Sequence, residues 1–145
     1  ALYYYEAMDD CEIITAERAV MLEHIKKDPA LERSLLDYFI DSHSAQLLQI
    51  TALEQSRAAD KLLLMLYYLM FRYSKETSPG NYELRFHLTH TVMGNLTGLT
   101  RETTSVELGK LRRKGVVSYS GNQFVIHREQ LEIHLAKESF NDVQL

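Results

Sequence analysis

The sequence predicts a mostly α-helical fold with a small β component: a winged helix-turn-helix preceded by a long helix. Three observations point there. Apolar residues recur at helical spacing from Glu17 to Tyr73. A strictly alternating stretch follows, from Tyr82 to Leu88. Two short amphipathic runs joined by Gly98-Leu99 then lead into two apolar strands around Ser120-Gly121-Asn122.

Composition bounds the reading. The 145 residues are 46% hydrophobic and 25% charged, which suits one or two small globular domains. Pro and Gly are scarce, and no low-complexity tract or repeat is visible. Cys11 is the only cysteine, so an intrachain disulfide and a CxxC motif are both excluded. That fits a reducing compartment, and a cytoplasmic location is expected. The longest apolar run, Leu62 to Phe71, is ten residues. A bilayer span takes about 20, so no membrane association is expected. The N-terminus is tyrosine-rich and then acidic, unlike a signal peptide. The chain opens inside what reads as a strand, so a fragment of a longer protein is expected.

Taken in order, Leu2 to Ile14 reads as two short strands, LYYYEAM and CEIIT, with MDD as the turn. From Glu17 the helical positions are Val20, Ile25, Leu31, Leu35, Leu36, Phe39 and Ile40. Pro29 interrupts them and pushes Asp28 out of the helical region. One short helix before Pro29 and a longer one from it are therefore expected. Ile40, His43, Leu47, Ile50 and Glu54 recur at alternating steps of three and four, the spacing of a helix seam in a homodimer. The alternative is an ordinary amphipathic helix on its own core. Arg57 to Tyr73 is apolar nearly all round and should be buried on several sides. SKETSPGN (74–81) reads as the clearest break, with Pro79-Gly80 as a turn. YELRFHL then reads as a half-buried strand, with Tyr82, Leu84, Phe86 and Leu88 on one face.

Thr89 precedes a short helix, HTVMGNLT, with Met93 and Leu96 facing inward. Gly98-Leu99 makes a tight turn, and Thr100 caps the next helix with its hydroxyl. Thr104, Leu108 and Leu111 form the inward stripe of that helix. Glu102, Ser105, Val106, Gly109 and Arg113 point the opposite way, and Arg101 projects from the helix end. Gly115 closes the helix. The hairpin after it reads as a wing whose tip, Gly121 and Asn122, meets a phosphate backbone through main-chain N–H groups. A hairpin that only covers the core is the alternative.

Charge gives this region a direction. Residues 1–83 carry a net −6, residues 84–128 a net +5 and residues 129–145 a net −3. A basic segment inside an acidic chain suggests an anionic partner, nucleic acid first, or else a solvated basic face. Arg101 could donate two hydrogen bonds to guanine O6 and N7, and Glu102 could accept from cytosine N4. Thr89, Thr100 and Thr103 are short hydroxyls suited to phosphates near helix N-termini. His90 could touch a phosphate or be a solvated surface residue. Lys110, Arg112, Arg113 and Lys114 add positive charge at the distal end, where they also complement the helix dipole.

LTHTVMGNLTGLTRETTSVELGKLRRKGVVS and FVIHREQLE resemble the C-terminal winged helix of the Crp/Fnr superfamily of bacterial transcription regulators, with Gly-Leu-Thr-Arg-Glu-Thr as the most recognisable run. Leu47 to Met70 is similar to the end of that family's long dimerisation helix and the helix after it. Residues 1–15 resemble the last strands of its β-roll sensor domain. The resemblance implies residues 1–58 as the end of the sensor domain with the dimerisation helix, and residues 59–145 as the DNA-binding domain. It implies a homodimer, double-stranded DNA as partner and RNA polymerase as a further one. It assigns base reading to Arg101 and Glu102, and phosphate contacts to Thr89, Thr100 and Thr103.

The departures are specific. Val106 stands where family members place Arg, so one base contact is lost or becomes apolar, to a thymine methyl. Glu107 sits where an apolar residue is usual. Val92 replaces the Glu that would complete a capping box with Thr89. The glycine-rich phosphate cassette is absent, and Gln46-Leu47 occupies the region of the Thr-Ser purine contact, so cyclic AMP is not supported and no cofactor is identifiable. The six histidines lack ligand spacing, so no metal site is expected. Cys11 is expected to pack within its strand, and the tyrosines at 3–5, 67, 68 and 73 to serve core and interface. No nucleophile–base pair, P-loop or carboxylate dyad is present, and an enzyme is not expected. Two readings follow: a dimeric, sequence-specific DNA-binding regulator, or an interaction module whose winged helix no longer binds DNA.

Overall fold

The computed structural model describes residue 7 and residues 10–139, with the backbone alone for residues 137–139. It forms two compact units, Ala1–Gln46 and Leu47–Leu145, which meet in sequence within one helix.

The first unit holds α1 (Arg18–Lys27) and the start of α2 (Pro29–Glu54). Asp28 separates them in an extended conformation, φ −127° and ψ 96°. Its Oδ1 accepts from the backbone N–H groups of Ala30 at 2.9 Å and Leu31 at 3.3 Å. Asp28 is thus the N-cap of α2 and Pro29 its first helical residue, where the missing N–H costs nothing. The sequence places both helices correctly and misses the cap.

The expected strand CEIIT does not form. Cys11–Thr15 is irregular and exposed, and Cys11 packs within no strand. Among the described residues no neighbouring strand runs beside it, and an isolated pair would be marginal in any case. The other expected strand, LYYYEAM, lies outside the described residues apart from Ala7, as do the tyrosines at 3–5.

The second unit is built on α3 (Ala58–Tyr73). Leu62, Leu63, Met65, Leu66 and Leu69 are all buried, which needs packing on more than one side. The Arg57 side chain holds the first turn by donating to Asp60 through Nε at 2.7 Å and a terminal nitrogen at 3.1 Å. Against α3 lie α4 (His90–Thr97), α5 (Arg101–Arg113), α6 (Arg128–Ser139) and an antiparallel sheet of order β1-β2-β4-β3. The strands are β1 (Ser74–Ser78), β2 (Asn81–Leu84), β3 (Val117–Ser120) and β4 (Gln123–His127). Leu84, Leu88, Met93, Leu108, Leu111, Val116, Phe124, Ile126 and Leu131 complete the core.

Two sheet expectations are corrected. Ser74–Ser78, read as a break, is the edge strand β1, paired with β2 through a bulge near Glu76 and Ser78. An edge strand exposes most of its side chains, so polar residues suit it. The turn is confined to Pro79-Gly80, where Gly80 has φ +76°. The strand expected over 82–88 ends at Leu84. On the β1 side Arg85 N–H still reaches Tyr73 O at 2.9 Å, but on the β4 side the ladder stops: Gln123 Nε2 donates to Leu84 O at 2.7 Å, and Leu88 N–H donates to Asn122 O at 2.9 Å. The alternation outlasts the strand, with Leu84 and Leu88 buried and Arg85 and His87 exposed. Helix α6 has no counterpart in the sequence reading.

Candidate nucleic-acid interface

Helices α4 and α5 are each fixed at both ends by local chemistry. Thr89 Oγ1 accepts from Val92 N–H at 3.1 Å and caps α4 without the missing acidic partner. At the other end Gly98 adopts φ +66°, and Leu99 N–H donates to Gly94 O at 2.9 Å. Thr100 Oγ1 then accepts from Thr103 N–H at 3.1 Å and caps α5. The far end of α5 is a Schellman motif: Gly115 N–H donates to Arg112 O at 3.1 Å and Val116 N–H to Leu111 O at 3.0 Å. Gly115, at φ +73°, supplies the left-handed residue this requires.

A close approach sets the spacing of the two helices. A Cβ added at Gly94 would lie 2.8 Å from the Leu99 carbonyl oxygen and 3.2 Å from Thr104 Oγ1. Only glycine lets the turn and α5 come this near. Thr104, Leu108 and Leu111 are buried, as their spacing predicts. On α4 Met93 is buried, but Leu96 is only half-buried. The buried partner is Thr97, whose hydroxyl donates to Met93 O at 2.8 Å and so needs no outside acceptor.

The opposite face of α5 is open. Arg101, Glu102, Ser105 and Arg113 are exposed, and Gly109 is half-exposed. Val106, at 58% exposure, leaves an apolar spot in the middle of this polar face. Glu107 turns toward Lys110, with 2.6 Å between Oε1 and Nζ, so a carboxylate at the border of the stripe is neutralised within its own helix.

The hydroxyls divide their duties. Thr100 Oγ1 accepts in the cap and also donates to Thr103 Oγ1 at 3.0 Å. Its only hydrogen is therefore engaged, whereas among the described residues the Thr89 and Thr103 hydroxyls donate to no acceptor. A hydroxyl carries one donor, so Thr89 and Thr103 are better placed than Thr100 to donate to a phosphate.

The wing packs beside this face. Tyr119 and Phe124 are partners across β3 and β4, and their rings stack at 4.7 Å. His90, the first residue of α4, meets both rings edge-on, at 5.4 Å and 6.3 Å. Its Nδ1 lies 3.2 Å from Ser105 Oγ on α5. Burial, then the nearby Arg101 charge, holds the His90 imidazole below its ordinary pKa. It is therefore neither a free surface side chain nor a simple cation. Arg112 lays its guanidinium 4.9 Å above the Tyr119 ring, so part of the basic tail is spent on the wing. This cluster is absent from the sequence reading. The hairpin register that pairs Tyr119 with Phe124 was the available signal for its aromatic half.

At the tip Gly121 has φ +58° and is the only positive-φ residue of the hairpin, the pattern of a type II′ turn. The turn is two residues, Gly121-Asn122, with Ser120 still in β3. Both tip residues are exposed. The expected seam residues Ile40 and His43 in the first unit, and Leu47, Ile50 and Glu54 in the second, are all exposed along α2. Among the described residues no cluster of three His, Cys, Asp or Glu could hold a metal, and no helix is long and apolar enough to cross a membrane.

Comparison with known proteins gives this geometry a context. A family model described as a Crp-like helix-turn-helix domain matches residues 56–132. The chain is 29% identical over 119 residues to an anaerobic regulatory protein of Aggregatibacter actinomycetemcomitans, covering 82% of this chain and 46% of that protein. It is 31% identical over 117 residues to a fumarate and nitrate reduction regulatory protein of Vibrio cholerae, covering 78% and 46%. The chain thus spans about half the length of these curated relatives. Among solved structures, FixK2 from Bradyrhizobium japonicum superposes with a TM-score of 0.61 at 22% identity, over 81% of this chain and 58% of that one. A CooA variant from Carboxydothermus hydrogenoformans gives 0.62 at 18%, over 79% and 53%. These likenesses carry the fold, a mostly α winged helix-turn-helix, and the relatives are named as regulators rather than enzymes. With the family model covering more than half of its residues, the chain belongs to the Crp/Fnr superfamily.

Proposed function

We propose that this chain is the DNA-binding and dimerising part of a transcription regulator, working in the cytoplasm as a homodimer on double-stranded DNA. One observation carries the reading. The N-terminal end of α5 projects Arg101 and Glu102 into solvent, while the buried stripe of the same helix anchors it to the core. A helix held this way can enter a major groove.

In this reading Arg101 pairs with guanine and Glu102 with cytosine. Ser105 and Val106 lie one turn further along the groove. Thr89 and Thr103 donate to phosphates, and Thr100 supports Thr103. The wing tip, Gly121 and Asn122, meets the backbone on the flank. The exposed row Ile40, His43, Leu47, Ile50 and Glu54 on α2 pairs with its copy, presenting two α5 helices to the halves of a palindrome. Residues 1–58 then belong to the sensor and dimerisation part and residues 59–145 to the DNA-binding part. RNA polymerase is the partner through which such a regulator would act.

The test is selection of bound duplexes from a random pool, followed by titration over a range of salt. A steep negative slope of log K against log salt is expected. Arg101→Ala should cost about 1–3 kcal/mol on the selected site and relax one base position. Binding that responds to neither salt nor Arg101 would favour an interaction module instead.

A further inference from the structure

The contact between His90 and Ser105 joins the first residue of one helix to the groove-facing side of the next. Ser105 is exposed, one turn along from Arg101, so its hydroxyl is available to a base edge. A serine hydroxyl has one hydrogen and can turn either way. What lies behind it decides what it offers in front. Behind it is Nδ1 of His90, at 3.2 Å, on a ring half-buried and wedged against Tyr119 and Phe124.

We infer that His90 is a positioning residue that sets the hydrogen-bonding polarity of Ser105, so that the pair reads one base and the proton on His90 chooses which. With the ring neutral and its one proton on Nε2, Nδ1 is bare, and the Ser105 hydroxyl donates to it and turns lone pairs outward. It then accepts from a base-edge donor, adenine N6 or cytosine N4. With Nδ1 protonated, the ring donates to Ser105 Oγ and the hydroxyl hydrogen turns outward. It then donates to guanine O6 or N7, or to thymine O4. The aromatic wedge keeps the ring in place through the exchange, so the proton moves preference rather than shape. This rests on the proposed DNA reading and adds a base-specific term to it.

The surroundings favour a neutral ring in the free chain. Arg101 is the charged group facing it from α5. Tyr119 is the titratable neighbour on β3, itself beneath Arg112, and Phe124 on β4 carries no charge. Desolvation and the Arg101 cation both oppose a second positive charge. Acidification below its ordinary value of about 6.5 is what would load it.

The experiment uses the full 145-residue chain and duplexes selected from a random pool by the unmodified chain. Each base pair is varied singly, and binding is competed near pH 8 and near pH 5.5. The expected result is one position whose preference changes between the two pH values, from a donor-bearing to an acceptor-bearing base, by about tenfold. Ser105→Ala should abolish the preference at that position. His90→Asn places an amide near the Nδ1 position and cannot titrate, so it should give one preference at both pH values. A preference at the Ser105 position that stays the same at both pH values overturns the inference. So does His90→Ala weakening every duplex equally with a shallower salt slope, since that marks a phosphate contact. If the unmodified chain selects no duplex, the DNA reading falls, and this inference with it.

Discussion

Replacing Gly94 with alanine puts a methyl carbon 2.8 Å from the Leu99 carbonyl oxygen and 3.2 Å from Thr104 Oγ1. Neither neighbour can step aside alone. Leu99 is tied back by its N–H to Gly94 O at 2.9 Å. Thr104 is buried, and its hydroxyl donates to Thr100 O at 2.8 Å. Relief therefore requires the turn and α5 to move off α4 together by about half an ångström, enough to forfeit part of the packing along the stripe. Overpacking of this kind costs about 1–3 kcal/mol. Alanine returns about 1 kcal/mol of helix propensity. The balance is a destabilisation of about 1 kcal/mol, or a Tm lower by about 4–8 °C for a domain of this size. Urea and thermal unfolding of Gly94→Ala beside the unmodified chain measure it. A midpoint equal to or above that of the unmodified chain would mean the two helices have slack between them, and the close-approach argument would be wrong.

Gly115→Ala should destabilise by about 1–2 kcal/mol through its left-handed conformation at φ +73°, and Gly115→Asn should cost less; denaturant titration ranks them. Ile50→Glu, on the exposed row of α2, should shift the sedimenting species from dimer to monomer, and an unchanged mass would remove the seam. His90 titrates below its ordinary value of about 6.5 in the folded chain, so the unfolded chain binds the extra proton first. Its contribution to stability is therefore complete above that value and is lost as pH falls through the folded pKa. His90→Asn should flatten this acid limb, and a limb left as steep as before would assign the loss to other groups.

How far the sequence can be read depends on where each signal is stored. The helix ends were legible because capping is local: Thr89, Thr100, Gly98 and Gly115 announce themselves within a few residues of the groups they satisfy. The buried stripe Thr104, Leu108 and Leu111 was legible because spacing alone orients it. Ser74–Ser78 was not, because an edge strand is defined by its neighbour, and its polar side chains resemble a loop until β2 is beside it. The early end of β2 was hidden for a related reason: Gln123 and Asn122, far along the chain, take the bonds that would have continued the ladder on the β4 side. Within the site, Arg101 and Glu102 stood out by residue type. The surroundings of His90 did not, since Ser105, Tyr119 and Phe124 arrive beside it from three other segments. Gly94 gave no sign either, because a missing side chain is noticed only when something else occupies its space.

The bond from Leu88 N–H to Asn122 O ties the hairpin apex to the residue just ahead of the Thr89 cap. The exposed tip and the start of α4 are thus joined through one hydrogen bond as well as through the length of the hairpin. A change at the tip is therefore felt at the start of α4 without passing through either strand.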